Sequence, residues 1–412
     1  MSQWTIFELC RNTFCHPDSA RGTPEPHGRS FLWKLYGYTF LMQFIFIYPV
    51  YPLLFQSKGM SALQIGTLFA IWSSTTIALE VPTGMLADKF SRRTILALAP
   101  LIKSLAFTLW LFSDSFVEFA AGFVLWGLAS SLTSGTFEAF VYDELKEMKQ
   151  EKLFEKISGH ARGFHFAGMT LGVLFGGFAT EFGFSYALIP SICVPIIATF
   201  LILAVRPAPR TRTTEEARYW NILLDALRET RRNPLLLELI LFISVAFGAS
   251  GASDEFWSLW LEEIHFSFAM IGVVLAFGNA ISSFASFLAH RLPLPGKRLH
   301  AFLLLGGLLV LLLAQINTQP AVLLVIPLIF IIEAAKVKYE ARLQHAISSR
   351  QRATVSSINM LLLEIVALVF YFGMGMLADT LGYVAFLWLL SGALIVVSVA
   401  ALLWTERKPS ME

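Results

Sequence analysis

Apolar segments of about 20 residues recur along this chain, and they leave it few possible folds. They cover 31–55, 62–83, 94–113, 116–140, 158–180, 184–205, 235–259, 267–289, 299–316, 320–337, 354–377 and 382–404. Each is long enough to cross ~30 Å of hydrocarbon as a helix. Within hydrocarbon every backbone N–H and C=O must find a partner inside the protein, so such a chain builds a helix bundle. The composition agrees: 56% of the 412 residues are hydrophobic and only 15% are charged, too few to cover the surface of a soluble protein. The expectation is an all-α membrane protein of twelve transmembrane helices.

The basic residues test this division. With the N-terminus placed in the cytoplasm, only Lys58 falls in a loop facing outward, and Lys103 and Arg162 fall inside spans. Every other one of the 31 Lys and Arg then lies on the cytoplasmic side. That alternation supports both the span count and an orientation with both termini cytoplasmic.

The chain divides into a polar leader (1–30), six spans (31–205), a cytoplasmic linker with an expected surface helix (206–234), six more spans (235–404) and a short tail (405–412). The two sets of spans repeat each other. Ser61 and Gly66 open span two as Ser267 and Gly272 open span eight. Phe137, Glu138 and Ala139 in span four match Ile332, Glu333 and Ala334 in span ten. Leu288, Ala289, His290 and Arg291, followed by Lys297 and Arg298, read as a decayed copy of Leu86, Ala87, Asp88 and Lys89, followed by Arg92 and Arg93. A parallel six-plus-six repeat of this kind makes two pseudo-symmetric six-helix bundles.

The stretch 80–93 is the first dense charge cluster, and it reads as a short loop held at the bilayer surface. Gly84, Asp88, Lys89, Arg92 and Arg93 stand there in the register of the loop between spans two and three of the major facilitator superfamily, which the chain resembles across its membrane region. Ser91 stands where that family usually has Gly. In span five Gly168, Gly172, Gly176 and Gly177 resemble the glycine motif of the antiporter-type members, with Val173 in place of the Pro. The resemblance implies that this helix meets span eight, at Gly272, between the halves. Ser131 stands where proton-coupled drug exporters of the family carry an Arg, which counts against drug/proton antiport. The strings around Glu80, Phe137 to Asp143 and Arg352 resemble bacterial members mostly assigned as exporters.

Ionisable groups inside a bilayer are costly and are functional candidates by default. Glu80, Glu138, Asp143 and Arg162 are expected at one level with Asp88 and Arg93. Either they form a charge latch that holds the outward-facing state, or they are ordinary interfacial charges. Glu364, midway in span eleven, is the sharpest candidate for carrying a proton. Of Asp254 and Glu255 in span seven only one need face the central cavity, where it either carries a proton or pairs with a cationic substrate, the alternative being an outer-end pair wetted by water. Lys103, in a span expected to be peripheral, suits snorkelling or a pair to a neighbouring helix. Tyr36 and Gln43 are seven apart on one face of span one, and with Tyr48, Tyr51 and Trp257 they are expected to line a substrate cavity. Its aromatic, acidic character suits an amphipathic or cationic solute.

Enzymatic parts are missing from the sequence. There is no nucleotide-binding Gly-Lys-Ser/Thr loop. Cys10, Cys15 and His16 are too few ligands for a metal site, so no cofactor is expected. A net charge of +2 gives no reason to expect a nucleic-acid partner. The expected protein is a monomeric secondary transporter of the bacterial inner membrane, exporting a small organic solute against protons. The alternatives are a proton-coupled importer and a membrane sensor that has lost transport.

Overall fold

The structure is a computed structural model that describes residues 26–206, 234–347 and 352–406. The expected surface helix and most of the leader lie outside the described residues. All regular elements described are helical. In chain order the first half has α1 (Pro26–Gln43), α2 (Tyr51–Ser57), α3 (Ala62–Lys89), α4 (Arg92–Leu111), α5 (Phe116–Thr133), α6 (Thr136–Glu147), α7 (Phe154–Thr180) and α8 (Phe184–Leu203). The second half has α9 (Pro234–Ser253), α10 (Trp257–Glu263), α11 (Phe268–Leu288), α12 (Lys297–Ile316), α13 (Val325–Ala346), α14 (Arg352–Leu381) and α15 (Ala385–Glu406). Among the described residues, eleven helical segments are long and apolar enough to cross a membrane.

Three expected spans are broken rather than continuous. The first, 31–55, divides into α1 and α2 around an irregular stretch that contains Pro49. Its freed backbone finds a partner on another helix, the Ile47 N–H donating to Ser191 Oγ at 2.9 Å. The seventh, 235–259, breaks over residues 254–256 between α9 and α10. The fourth breaks at Gly135, whose φ of 64° suits a residue without a Cβ. The first and seventh spans are counterparts in the repeat, so this irregularity is itself repeated.

Serines start the matching helices α3 and α11. Ser61 and Gln64 form a reciprocal capping box, and Ser267 Oγ accepts from the Met270 N–H. Such side chains satisfy N–H groups that have no partner within the helix. The expected loop at 80–93 is mostly helix. α3 continues through Pro82 to Lys89, and only Phe90 and Ser91 link it to α4. Ser91 has φ −64° and ψ 122°, an extended conformation open to any residue, so the missing Gly costs the turn nothing.

Packing repeats as well. α4 lies on α8 as α12 lies on α15, and α1 lies on α7 as α9 lies on α14. The two halves meet along α3 with α14 and along α7 with α11, which the repeat again makes equivalent. At one end these crossings are tight. A Cβ on Gly177 would stand 2.8 Å from Gly272 Cα, and one on Gly375 would stand 2.7 Å from Leu63 Cα. Toward the other end of the same helices, Gly84, Gly159 and Gly163 have nothing within 4 Å of where a Cβ would stand. The halves therefore close at one face and diverge toward the face that carries Lys89, Arg92 and Arg93.

Two carboxylates fasten the closed face. Asp379, near the end of α14, accepts from the Ala62 and Leu63 N–H groups at 2.8 and 3.3 Å. Glu181, just after α7, accepts from the Ala269 N–H at 2.8 Å. Each carboxylate comes from one half and caps the first turn of a helix of the other, where free N–H groups and the helix dipole favour a negative charge. The fastening is present once on each side of the pseudo-symmetry.

Candidate functional site

A cavity of about 430 Å³ lies between the two halves. The irregular stretch after α1 brings Gln43, Tyr48 and Tyr51 to it. The break between α9 and α10 brings Asp254, Glu255 and Trp257. Glu333 of α13, Lys103 of α4, Trp72 of α3 and Trp126 of α5 complete its ionisable and aromatic lining. Backbone can leave the helix at membrane depth where it is buried in protein or borders a cavity, and both broken spans do so here.

Gln43, Tyr48, Tyr51 and Trp257 thus line one cavity, and both Asp254 and Glu255 reach it because the helix is broken there. Tyr36 does not join them. Seven residues are two helical turns, about 10.5 Å along the axis, and at that level α7 covers α1. Tyr36 is buried, its ring stacked on Phe164 at 5.0 Å and its hydroxyl 3.4 Å from His160 Nδ1.

Glu364 stands outside the cavity lining. It sits where α14 packs against α3 and accepts from Ser73 Oγ at 2.5 Å. That bond joins the two halves, which places Glu364 at a contact that must change if the halves move.

Lys103 runs the other way: expected at the periphery, it lines the cavity. The residue is 5% exposed. Its Nζ donates to the Tyr48 hydroxyl and stands 5.1 Å and 5.5 Å from the ring centroids of Tyr48 and Trp126. The first span's break turns Tyr48 toward α4, a bend the apolar pattern does not reveal.

The glycines of α7 serve two contacts. Cβ atoms on Gly168, Gly172 and Gly176 would strike the backbone of Phe40, Ile45 and Phe46, so these three seat α7 on the first span of its own half. Gly177, 100° further round the helix, meets Gly272 between the halves. The interface between halves expected for all four belongs to Gly177 alone.

On the diverging face the basic residues bind within the first half. Arg92 Nη1 reaches Asp143 Oδ2 at 2.6 Å and the Ala139 carbonyl at 2.8 Å. Arg93 Nη1 donates to the Leu203 and Val205 carbonyls at 3.3 and 2.9 Å. Asp143 therefore pairs with Arg92. Glu80 accepts from Ser134 Oγ at 2.8 Å. Glu138 and Arg162 are exposed, and Arg162 lies within electrostatic range of Glu340 of the second half. Gly84 and Lys89 are exposed near the end of α3, and the side chain of Asp88 lies outside the described residues.

Repeated halves around a polar and aromatic cavity, closed at one face and divergent at the other, define a multi-pass membrane protein with a solute-transporter fold. The sequence profile of the Major Facilitator Superfamily matches residues 35–335, and the chain belongs to that family. It is 21% identical over 239 residues to the uncharacterized MFS-type transporter YxaM of Bacillus subtilis (strain 168), a match covering 56% of this chain and 58% of that protein. The chain thus spans just over half the length of this curated relative. Among solved structures, the nucleoside transporter NupG is similar with TM-score 0.74 and 14% identity, covering 92% of this chain and 99% of that one. A bacterial homolog of the human lysosomal transporter Spinster, inward-facing and occupied, gives TM-score 0.73 at 16% identity, covering 94% and 100%. A D-xylose-proton symporter gives TM-score 0.70 at 11% identity, covering 90% and 96%. At such identities the likeness is one of fold.

Proposed function

We propose that this protein is a twelve-span secondary transporter of the bacterial inner membrane, which exports a small organic solute by alternating access in exchange for protons. The basic, diverging face is the cytoplasmic one, so the structure stands in an inward-facing state. The two bundles, 31–205 and 235–404, rock about the α3–α14 and α7–α11 crossings and expose the cavity alternately to each side. Glu364 and the Asp254/Glu255 pair are the proton-coupling groups. The residues around Asp88, Arg92 and Asp143 form the gate that closes the cytoplasmic side.

One observation carries this reading: an aromatic cavity with three carboxylates lies between halves that seal at one face only. The antiporter-like glycine series of α7 favours export over import, and the Ser73–Glu364 bond favours coupling through that carboxylate. The protein acts as a monomer, without cofactor or nucleic acid.

The test uses the protein in liposomes with an internal pH dye and candidate solutes. Proton movement opposite to the solute supports antiport, and movement in the same direction supports a proton-coupled importer. Solute-independent proton traces across a broad panel support the sensor reading. Coupling that survives in both Glu364→Gln and Asp254→Asn removes these carboxylates from the mechanism.

A further inference from the structure

The cavity holds a cation that the export reading does not use. Lys103 is nearly inaccessible to solvent, yet it lines the cavity. Its partners are neutral: the Tyr48 hydroxyl, the Met42 carbonyl at 3.4 Å, and the faces of Tyr48 and Trp126. No carboxylate among the described residues forms a salt bridge with it. A buried ammonium without a counter-charge is unfavourable, and a ring face or a hydroxyl offsets only part of its lost hydration. Facing a cavity, it is placed to take its counter-charge from an occupant.

The sign of charge also divides by half. Lys103 belongs to the first half. Asp254, Glu255 and Glu333 belong to the second and line the same cavity. A purely cationic solute would satisfy the second wall and be repelled by the first. A purely anionic one would meet the reverse. A solute with both charges satisfies both walls, and its apolar body would lie against Tyr51, Trp126 and Trp257.

We propose that the solute is a zwitterion with an aromatic or apolar body, whose anionic group is bound by Lys103 and whose cationic group is bound by the carboxylates at the α9–α10 break. Resting on the transport reading, this deepens it by naming the substrate class. It also links binding to motion. An occupant with one charge on each half draws the halves together around itself and so favours closure over an empty or singly charged cavity.

The test is a binding measurement on the full chain in nanodiscs, read by quenching of tryptophan fluorescence. The probes share one body: 2-phenylethylamine, 3-phenylpropionate, phenylalanine and glycylphenylalanine. At least one zwitterion is expected to bind about tenfold tighter than either singly charged probe, equivalent to one oriented ion pair. Lys103→Met lowers that zwitterion to the level of the amine, whereas Lys103→Arg keeps most of the preference. Asp254→Asn combined with Glu255→Gln lowers it to the level of the carboxylate. The assignment is overturned if the amine binds as tightly as both zwitterions, if Lys103→Met leaves the preference intact, or if neither zwitterion binds saturably. The ranking on the wild-type protein decides the question even where a variant fails to fold. Zwitterion binding without solute-driven proton flux would remove coupling and leave this site standing; flux driven by a cation alone would do the opposite.

Discussion

The paired carboxylates on the closed face make a quantitative prediction about conformation. In the double variant Glu181→Gln with Asp379→Asn, each amide keeps an acceptor oxygen and loses the charge. What is removed is the interaction of a carboxylate with the first turn of a helix across the interface, at N–O distances of 2.8 Å for Ala269 and Ala62. At exposed positions such an interaction contributes about 0.3–1 kcal/mol. Both contacts exist only while the outer ends touch, so the loss falls wholly on this state. Two losses sum to about 0.6–2 kcal/mol, because the sites lie on separate helix crossings and share no partner. With about 1.4 kcal/mol per factor of ten, the outward-open population rises about 3- to 30-fold, and each single variant gives about the square root of that. The assay is pulsed electron resonance between spin labels at Val117→Cys and Leu323→Cys, both exposed and from opposite halves, with Cys10, Cys15 and Cys193 replaced by Ser. A distance distribution unchanged from the parent in the double variant would show that the carboxylates do not hold this face closed.

Gly177→Val is expected to prevent tight closure of the same face, because its Cβ would stand 2.8 Å from Gly272 Cα; Gly84→Val is expected to leave this state's thermal stability unchanged, since nothing lies within 4 Å there. Removing the guanidinium in Arg92→Ala frees Asp143 and the Ala139 carbonyl, a loss of about 1 kcal/mol for a partly exposed pair, read as a lower unfolding temperature that Arg92→Lys restores in part. At Glu263, burial raises the carboxyl above its ordinary value, the Tyr383 N–H lowers it and Glu262 raises it again. The folded protein thus holds this proton more tightly than the unfolded chain, so the site's stabilisation is full below the ordinary carboxylate range and is lost as pH rises through the raised value. Thermal unfolding of wild type and Glu263→Gln should therefore diverge with rising pH, in favour of the Gln variant; curves that stay parallel would refute this.

Much of the candidate site was legible because hydrophobicity and charge are local properties. Asp254 and Glu255 stood out as charges in an apolar run, and the aromatic residues around Tyr48 and Trp257 stood out by density. Lys103 was legible as an anomaly but not as a cavity residue. Its role depends on the first span leaving the helix after Gln43, and only Pro49 and Pro52 hint at that. Tyr36 was misplaced because a shared helix face says nothing about depth. The α7 glycines show the same limit: their spacing identifies one close-packed face, while the neighbour on that face is set by how the helices assemble.

By itself the sequence determined the helical class, the start of most helices to within a few residues and the internal repeat. These follow from hydrocarbon thickness and backbone hydrogen bonding, which act on each segment separately. Only the tertiary structure decided which ends of the helices touch. It brought Asp379 and Glu181 to the first turns of helices more than 80 residues away in the chain. It also set one cation against three carboxylates around a single cavity. Those outcomes depend on packing between segments distant in sequence, where a single Cβ at Gly177 or a break at Gly135 changes which surfaces can meet.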